Sequence, residues 1–365
     1  QEEKLVRAIV AGAPPDLAYV YGPSLVGPLA ANGAVLPLDP FFRRSGLREE
    51  EFLPQALEQM RHEGVLWAMP VTRDSRGFYW NRAVFADAGL DPDRPPETLE
   101  EMERMALRIT RRGPRGEVLR AGFLPPDDSA IWLFLCGGRL YDASARRFTL
   151  DAPENVAALA RLVRLVDLQG GQTALAALRS SLGRSDTAQS PLASGKVGMM
   201  IDGEWVAMHL ERYAPHADYG IGRLPHPSAR PDLRNMAWQD GDVMLAPKGA
   251  RHPEAAWEFM RWMQEPRQQE EYAAAMNNLP SIRSLVSSPR LTTGSRKFQT
   301  LGFILRHIAV NDAAARHFPT TPVTRFCRDT LEQAVEFARH HQKTAAQALA
   351  DAQRRVQREL DRYND

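Results

Sequence analysis

Short strand-like runs alternate with capped helical segments along the whole chain, and that alternation points to an α/β architecture. Leu5, Ala8 and Ile9 line one face of an opening helix that Gly12 ends. Asp16-Leu-Ala-Tyr-Val-Tyr21 then reads as a strand, and Gly22-Pro23-Ser24 turns into a short helix stopping at Asn32-Gly33. Strands are also predicted over 65–71, 77–81, 218–224 and 243–246. Thr98-Leu-Glu-Glu101 is a capping box. Asp151-Ala-Pro-Glu154 opens a helix with Val156, Leu159, Ala160, Val163 and Val166 as its expected core stripe. Val197 to Ile201 is a short buried strand, followed at once by Asp202-Gly203-Glu204-Trp205. Pro253 opens a helix expected to bury Ala256, Phe259, Met260 and Met263, and the tail holds two helices. A chain of 365 residues exceeds one ordinary core and suits two lobes.

Several function classes drop out on composition and motifs. Lys and Arg total 46 against 45 Asp and Glu, so bulk charge does not favour a nucleic-acid partner. Only five of the basic residues are Lys, an imbalance read as coding bias before phosphate recognition. Two cysteines, Cys136 and Cys327, rule out a disulfide scaffold or a multi-Cys zinc site; buried thiols are favoured over a bridge. The longest apolar stretch, Ala130 to Cys136, is far short of a membrane span. The sequence opens without a basic-then-apolar leader and is read as mature, processed or trimmed.

There is no Gly-x-Ser-x-Gly elbow, no His-Glu-x-x-His and no complete phosphate loop; Gly195-Lys196 is followed by Val197. Asp240-Gly241-Asp242 lacks the remaining ligands of a calcium loop. The expectation is therefore no cofactor, no metal and no catalytic residue. A carboxyl pair drawn from Asp74, Asp127 and Asp240 leaves a glycan hydrolase open.

Aromatic placement is the positive signal. Tyr21, Trp80, Trp205 and Trp238 fall at or near the ends of predicted strands, where ligands gather in open α/β sheets. Sugars offer C–H faces that stack on Trp or Tyr, and hydroxyls that suit Arg and carboxylates. Arg73-Asp74, Asp127-Asp128 and Asp240 lie in suitable loops. Core packing is the competing reading for each Trp, and it is adopted for Trp257 and Trp262.

An ordered series of pieces resembles a known family. Lys4-Leu-Val-Arg-Ala-Ile-Val-Ala-Gly12 leads to Pro15-Asp16, then Ala30-Ala-Asn-Gly33 and Leu36-Pro-Leu-Asp39. Pro70, Tyr79-Trp-Asn81, Phe85-Ala-Asp-Ala-Gly-Leu90, Pro95-Pro-Glu-Thr98, Gly137-Gly138 and Leu140-Tyr141 follow. Gly195-Lys-Val-Gly-Met-Met200, Gly203-Glu-Trp205, Tyr219-Gly-Ile-Gly-Arg-Leu-Pro225, Trp238 to Gly241, Pro253-Glu-Ala-Ala-Trp257 and Leu279-Pro280 complete it. The series is similar to the family-1 extracellular solute-binding proteins, the maltose-binding-protein-like subunits of ATP-binding-cassette sugar importers.

The resemblance implies a two-lobed periplasmic-binding-protein-like α/β fold of class II type, with ligand held in a cleft closed by hinge motion. It assigns 1–74 and 222–288 to a near lobe, and 75–221 and 289–365 to a far lobe. Members normally begin with a strand, helix and strand of roughly forty-odd residues that have no counterpart here. Carried over by position, the ligand-binding residues are Tyr21, Ser24, Arg73, Asp74, Trp80, Asp127, Trp205, Trp238, Asp240 and Gly241, with Arg283 and Arg325 added. Trp205 corresponds to the stacking aromatic. The implied partners are a carbohydrate and membrane permease subunits, the implied state a monomer, and the implied location periplasmic or extracellular, with or without a lipid anchor. The same fold binding an anionic solute, such as a glycerol phosphodiester or sugar phosphate, through Arg73, Arg283 and Arg325 stays open beside the sugar.

Overall fold

The computed structural model describes residues 2–309 and 315–364. Two compact units form: unit 1 is Gln1–Ser75, Trp238–Arg328 and Val356–Asp365, and unit 2 is Arg76–Ala237 and Asp329–Arg355.

In unit 1 the central strand Val243–Leu245 is antiparallel to Ala18–Val20 on one side and to Met69–Pro70 on the other. The opening helix, Glu2–Val10, ends before Gly12, whose φ of +69° suits a residue without a Cβ. Leu5, Val20, Leu38, Phe52, Met69, Leu245, Trp257 and Met260 share one core. The first two residues of the strand Asp74–Asn81 also belong here, with Ser75 opposite Gln239 and Asp74 opposite Asp240.

In unit 2 the strand Val197–Gly203 is sandwiched. It runs antiparallel to the rest of Asp74–Asn81, with Gly203 opposite Arg76, and parallel to Val118–Leu124. Its apolar run Val197, Met199, Met200 and Ile201 is buried throughout, as an interior strand requires. Tyr219–Gly222 adds to the other edge of Asp74–Asn81. Thr98 caps the helix Leu99–Ile109 by accepting the Glu101 N–H at 3.2 Å.

The division departs from the lobe boundaries expected from the sequence. Residues 222–237 group with unit 2, because the chain there pairs with it: Gly222 opposes Phe78, and the Leu99 N–H donates to the His226 carbonyl at 2.9 Å. Residues 289–328 group with unit 1. Arg290 grips Glu271 through two bonds of 2.8 and 2.7 Å, and Phe318 meets Trp238 edge-on at 6.1 Å. Two helical faces also differ. The helix Pro153–Gln169 buries Asn155, Ala158, Leu159, Leu162, Leu165, Val166 and Gln169, leaving Ala160 exposed and Val156 and Val163 only half-buried. Phe259 and Trp262 are 46% and 41% exposed rather than packed inside. Cys136 and Cys327 are free thiols, one in each unit.

Candidate functional site

In unit 1 two i, i+2 pairs converge. Tyr19 and Tyr21 lie at the end of Ala18–Val20, and Asp240 and Asp242 flank Gly241. Residues two apart on an extended chain share a face. Gly241 has φ of +154°, and a Cβ there would lie 2.2 Å from the Thr72 carbonyl oxygen, so only glycine lets the segment approach so closely. The Asp242 N–H donates to Thr72 Oγ1 at 3.0 Å, and its carbonyl accepts the Val71 N–H at 2.7 Å. This pins the two carboxylates beside Asp74, which accepts from Asn278 Nδ2 at 2.9 Å.

Asp242 accepts hydrogen bonds from the Tyr19 hydroxyl and the Gly22 N–H, and the Tyr19 and Tyr272 hydroxyls are 3.1 Å apart. Burial, followed by the charge of Asp74, raises Asp242 to about 7; Asp240 adds to the rise, and the bonds from Tyr19 and Gly22 oppose it. Burial, then the bond to Asp242, pushes the Tyr19 hydroxyl well up. Tyr21 is 63% exposed and meets Tyr19 edge-on at 5.3 Å.

In unit 2 the strand Val197–Gly203 runs directly into the helix Trp205–Tyr213. The indole of Trp205 lies flat on Gly203, where a Cβ would come within 2.3 Å of the ring. Directly opposed residues of an antiparallel pair project from the same sheet surface. Arg76, opposite Gly203, accordingly places its guanidinium carbon 4.7 Å from the ring centroid. Trp205 also donates to the Asp202 carboxylate, which desolvation pushes above its usual range against the pull of the Gly203 N–H and the charges of Arg76 and Arg179. The Tyr79 hydroxyl secures the turn by donating to the Gly203 carbonyl at 2.9 Å. The ring is half-buried, with the Gly203–Arg76 rung beneath it.

The model of the bacterial extracellular solute-binding proteins matches residues 1–270. The chain belongs to that family. A maltotriose-binding protein of Pyrococcus abyssi is 22% identical over 299 residues, 80% of this chain and 60% of the relative. The sn-glycerol-3-phosphate-binding periplasmic protein of Escherichia coli is 22% identical over 67% of this chain and 56% of its own length. The chain therefore spans between half and two thirds of these curated relatives. Among solved structures, CpMnBP1 with mannobiose bound superposes with a TM-score of 0.83 at 26% identity, covering 97% of this chain and 86% of that one. The fold is the two-lobed α/β fold of the periplasmic sugar-binding proteins.

Against this solute-binding frame the sequence candidates sort clearly. Tyr21, Asp74, Asp240 and Gly241 gather on unit 1, and Trp205 stands at its strand end on unit 2. Asp127 is exposed and ion-paired with Arg179, whose Nη2 donates to the Pro125 carbonyl at 2.6 Å. Four candidates are buried. Trp80 is 3% exposed, donates to the Pro92 carbonyl at 2.7 Å and packs against Gly220. Trp238 is 1% exposed and faces Phe318. Arg73 is 2% exposed, in a backbone bridge with Leu279, and Ser24 is buried in the turn Pro23–Leu25. Arg283 is exposed and donates to the Glu50 and Phe52 carbonyls, while Arg325 is exposed near the start of the helix Thr324–Arg339. The sequence reading missed Tyr19, Asp242, Tyr272, Asn278 and Arg76. The first two were detectable from the spacing alone, each two residues from a chosen candidate. Among the described residues, no group of three His, Cys, Asp or Glu is arranged to hold a metal ion.

Proposed function

We propose that this protein is the substrate-binding component of an ATP-binding-cassette importer and that its ligand is a carbohydrate, a mono- or oligosaccharide, bound without chemical change. The observation that carries the reading is the indole of Trp205 supported from below by the Gly203–Arg76 rung. A rigid, half-buried aromatic of this kind stacks on the C–H face of a pyranose. Asp74 and Asp240 supply acceptors for ring hydroxyls, and Tyr21 a second aromatic edge with its own hydroxyl. The relative named for maltotriose and the neighbour with bound mannobiose support a saccharide. The cleft, the hinge closure, the permease partner, the monomeric state and the periplasmic or extracellular location come with the family and form part of this proposal.

The relative named for sn-glycerol-3-phosphate raises an anionic ligand. Three carboxyls grouped on unit 1 oppose it by like-charge repulsion, and Arg73, one of the three arginines expected to clamp an anion, is enclosed. A hydrolase would need carboxyls on either side of the scissile bond. Asp74 and Asp240 instead project from one sheet surface. A thermal-shift screen tests the proposal, since a ligand that binds only the native state raises the melting point. The expected result is a rise with one or more neutral saccharides that is insensitive to salt. A rise confined to phosphodiesters and fading with salt would replace the sugar by an anion, and saccharide cleavage would make the chain an enzyme.

A further inference from the structure

At the end of unit 2 away from Trp205 the surface is strongly basic. Residues 104–120 hold six arginines and one glutamate, while the rest of the chain carries 40 basic against 44 acidic residues. A coding preference for Arg over Lys does not concentrate one sign of charge in this way. Arg104 and Arg108 stand one turn apart on the exposed face of the helix Leu99–Ile109, with the exposed Leu107 beside them. The chain then turns back through Arg111–Arg112 to the strand Val118–Leu124, with Arg111 opposite Arg120 and Arg112 opposite Val118. Leu119, the extra residue of this bulge, faces no residue of the partner strand and is 53% exposed. Arg111 donates to the Arg108 carbonyl at 2.8 Å and Arg112 to the Leu168 carbonyl at 2.7 Å, which brings the helix end, the hairpin and the exposed Leu168 together. Among the described residues only Arg120 of the six is ion-paired, with Asp87. Glu117 accepts the Arg115 main-chain N–H, and Glu103 is held by Arg161 and Arg164. The strands Val118–Leu124 and Val197–Gly203 run parallel, with Val197 opposite Ala121. The patch therefore lies at their starts, and Trp205 follows the end of the second, about 20 Å further along at about 3.3 Å per residue.

We propose that this patch is a docking surface for a bilayer with anionic headgroups, with the arginines on lipid phosphates and Leu107, Leu119 and Leu168 at the headgroup boundary. A guanidinium takes a phosphate through two parallel bonds and is weakly hydrated, so it gives up water for that partner readily. An acidic protein face would answer the charge alone. Three exposed leucines among the arginines suit a bilayer boundary, which takes apolar side chains and positive charge together. Each basic residue held near such a surface strengthens attachment about fivefold, and the attraction fades within about 10 Å at 0.1 M salt. The proposal rests on the importer reading for its setting, since that role is played at a membrane. Docking by this end leaves the Trp205 end of unit 2 uncovered for a ligand.

Flotation of the whole chain with lipid vesicles tests this. Phosphatidylcholine vesicles containing about one third phosphatidylglycerol should carry the protein at about 50 mM salt, and about 300 mM salt should release most of it. Pure phosphatidylcholine vesicles should carry little. Arg104→Gln, Arg108→Gln and Arg115→Gln combined should weaken partitioning about a hundredfold, at about fivefold for each charge lost. Arg43→Gln, Arg251→Gln and Arg267→Gln, at exposed positions of unit 1, make the same change in net charge and should leave partitioning within about threefold. Leu119→Ser should weaken it about fivefold without altering the salt response. Each variant should melt as the parent does. Equal losses in the two triple variants would reduce the patch to bulk charge and overturn the proposal, as would equal partitioning onto both vesicle types. Binding to poly-glutamate without binding to vesicles would also overturn it, and would make an acidic protein face the partner. No saccharide enters the assay, so its failure leaves the carbohydrate reading standing, and a failed saccharide screen leaves the vesicle result standing.

Discussion

The unit 1 surface is held by directional bonds: Tyr19 and Gly22 to Asp242, Thr72 to the Asp242 backbone, Asn278 to Asp74. The unit 2 surface adds stacking to its bonds from Trp205 to Asp202 and from Tyr79 to the Gly203 carbonyl, with the Trp205 ring on a bare glycine and a guanidinium beside it. The first arrangement places charge and is open to pH. The second places a flat apolar face whose strength depends on how well the rung supports it. A carboxylate selects hydroxyl geometry, whereas an indole contributes area with little cost in side-chain entropy.

The largest expected effect separates core aromatics from ligand aromatics. Trp238→Ala should cost about 3–5 kcal/mol of folding stability, as truncation of an enclosed Trp does. Denaturant unfolding measures it, and a loss near that of a surface residue would return Trp238 to the candidate site. Gly203→Val comes next. Its added carbons collide with the indole, so Trp205 must leave its seat, and saccharide affinity should fall about tenfold or more, about 1.4 kcal/mol. Tryptophan fluorescence should shift in parallel, and an unchanged spectrum with unchanged affinity would show that the rung does not position the ring.

The smallest effect contrasts the two units in pH. Despite the cost of burial, Glu100 in unit 2 is held down at about 2 by the Ser228 N–H and by Arg161, each at 2.9 Å. A depressed carboxyl contributes stability above its unfolded value that is lost as pH falls from about 4.5 toward 2. Asp242 has the opposite sign, because its folded form binds the proton more tightly, and its contribution declines as pH rises between about 4 and about 7. Glu100→Gln should therefore reduce the acid-side slope of the melting profile and leave the neutral-side slope intact. A change in the neutral-side slope instead would break the assignment of opposite signs to Glu100 and Asp242.

Much of this was readable before the fold was known, and the failures share a cause. The run Val197 to Ile201 followed by Asp202-Gly203-Glu204-Trp205 announces a buried strand ending in a turn that presents an indole, because all the information is local. Trp80 and Trp238 also stand near strand ends, but whether they are covered depends on partners far away in sequence. Gly220 opposes Trp80 and leaves room for its ring, and Phe318 lies against Trp238 from a segment assigned to the other lobe. Arg73 and Ser24 failed in the same way, being loop residues by pattern and buried by tertiary contact. Phe259 and Trp262, three apart on the helix Pro253–Met263, stack on each other at 5.6 Å and stay exposed, so helical spacing identified a face without saying which way it turned. Tyr19 and Asp242 needed only the two-residue period applied to candidates already chosen.

The central claim is that a sugar ring rests on the indole at position 205. Isothermal titration of parent and Trp205→Ala with whichever saccharide raises the melting point most tests it directly. The expected result is a loss of about 2–3 kcal/mol in binding, roughly 30-fold to 150-fold, with the unfolding midpoint nearly unchanged. Equal heats and equal affinity in the two proteins would contradict it.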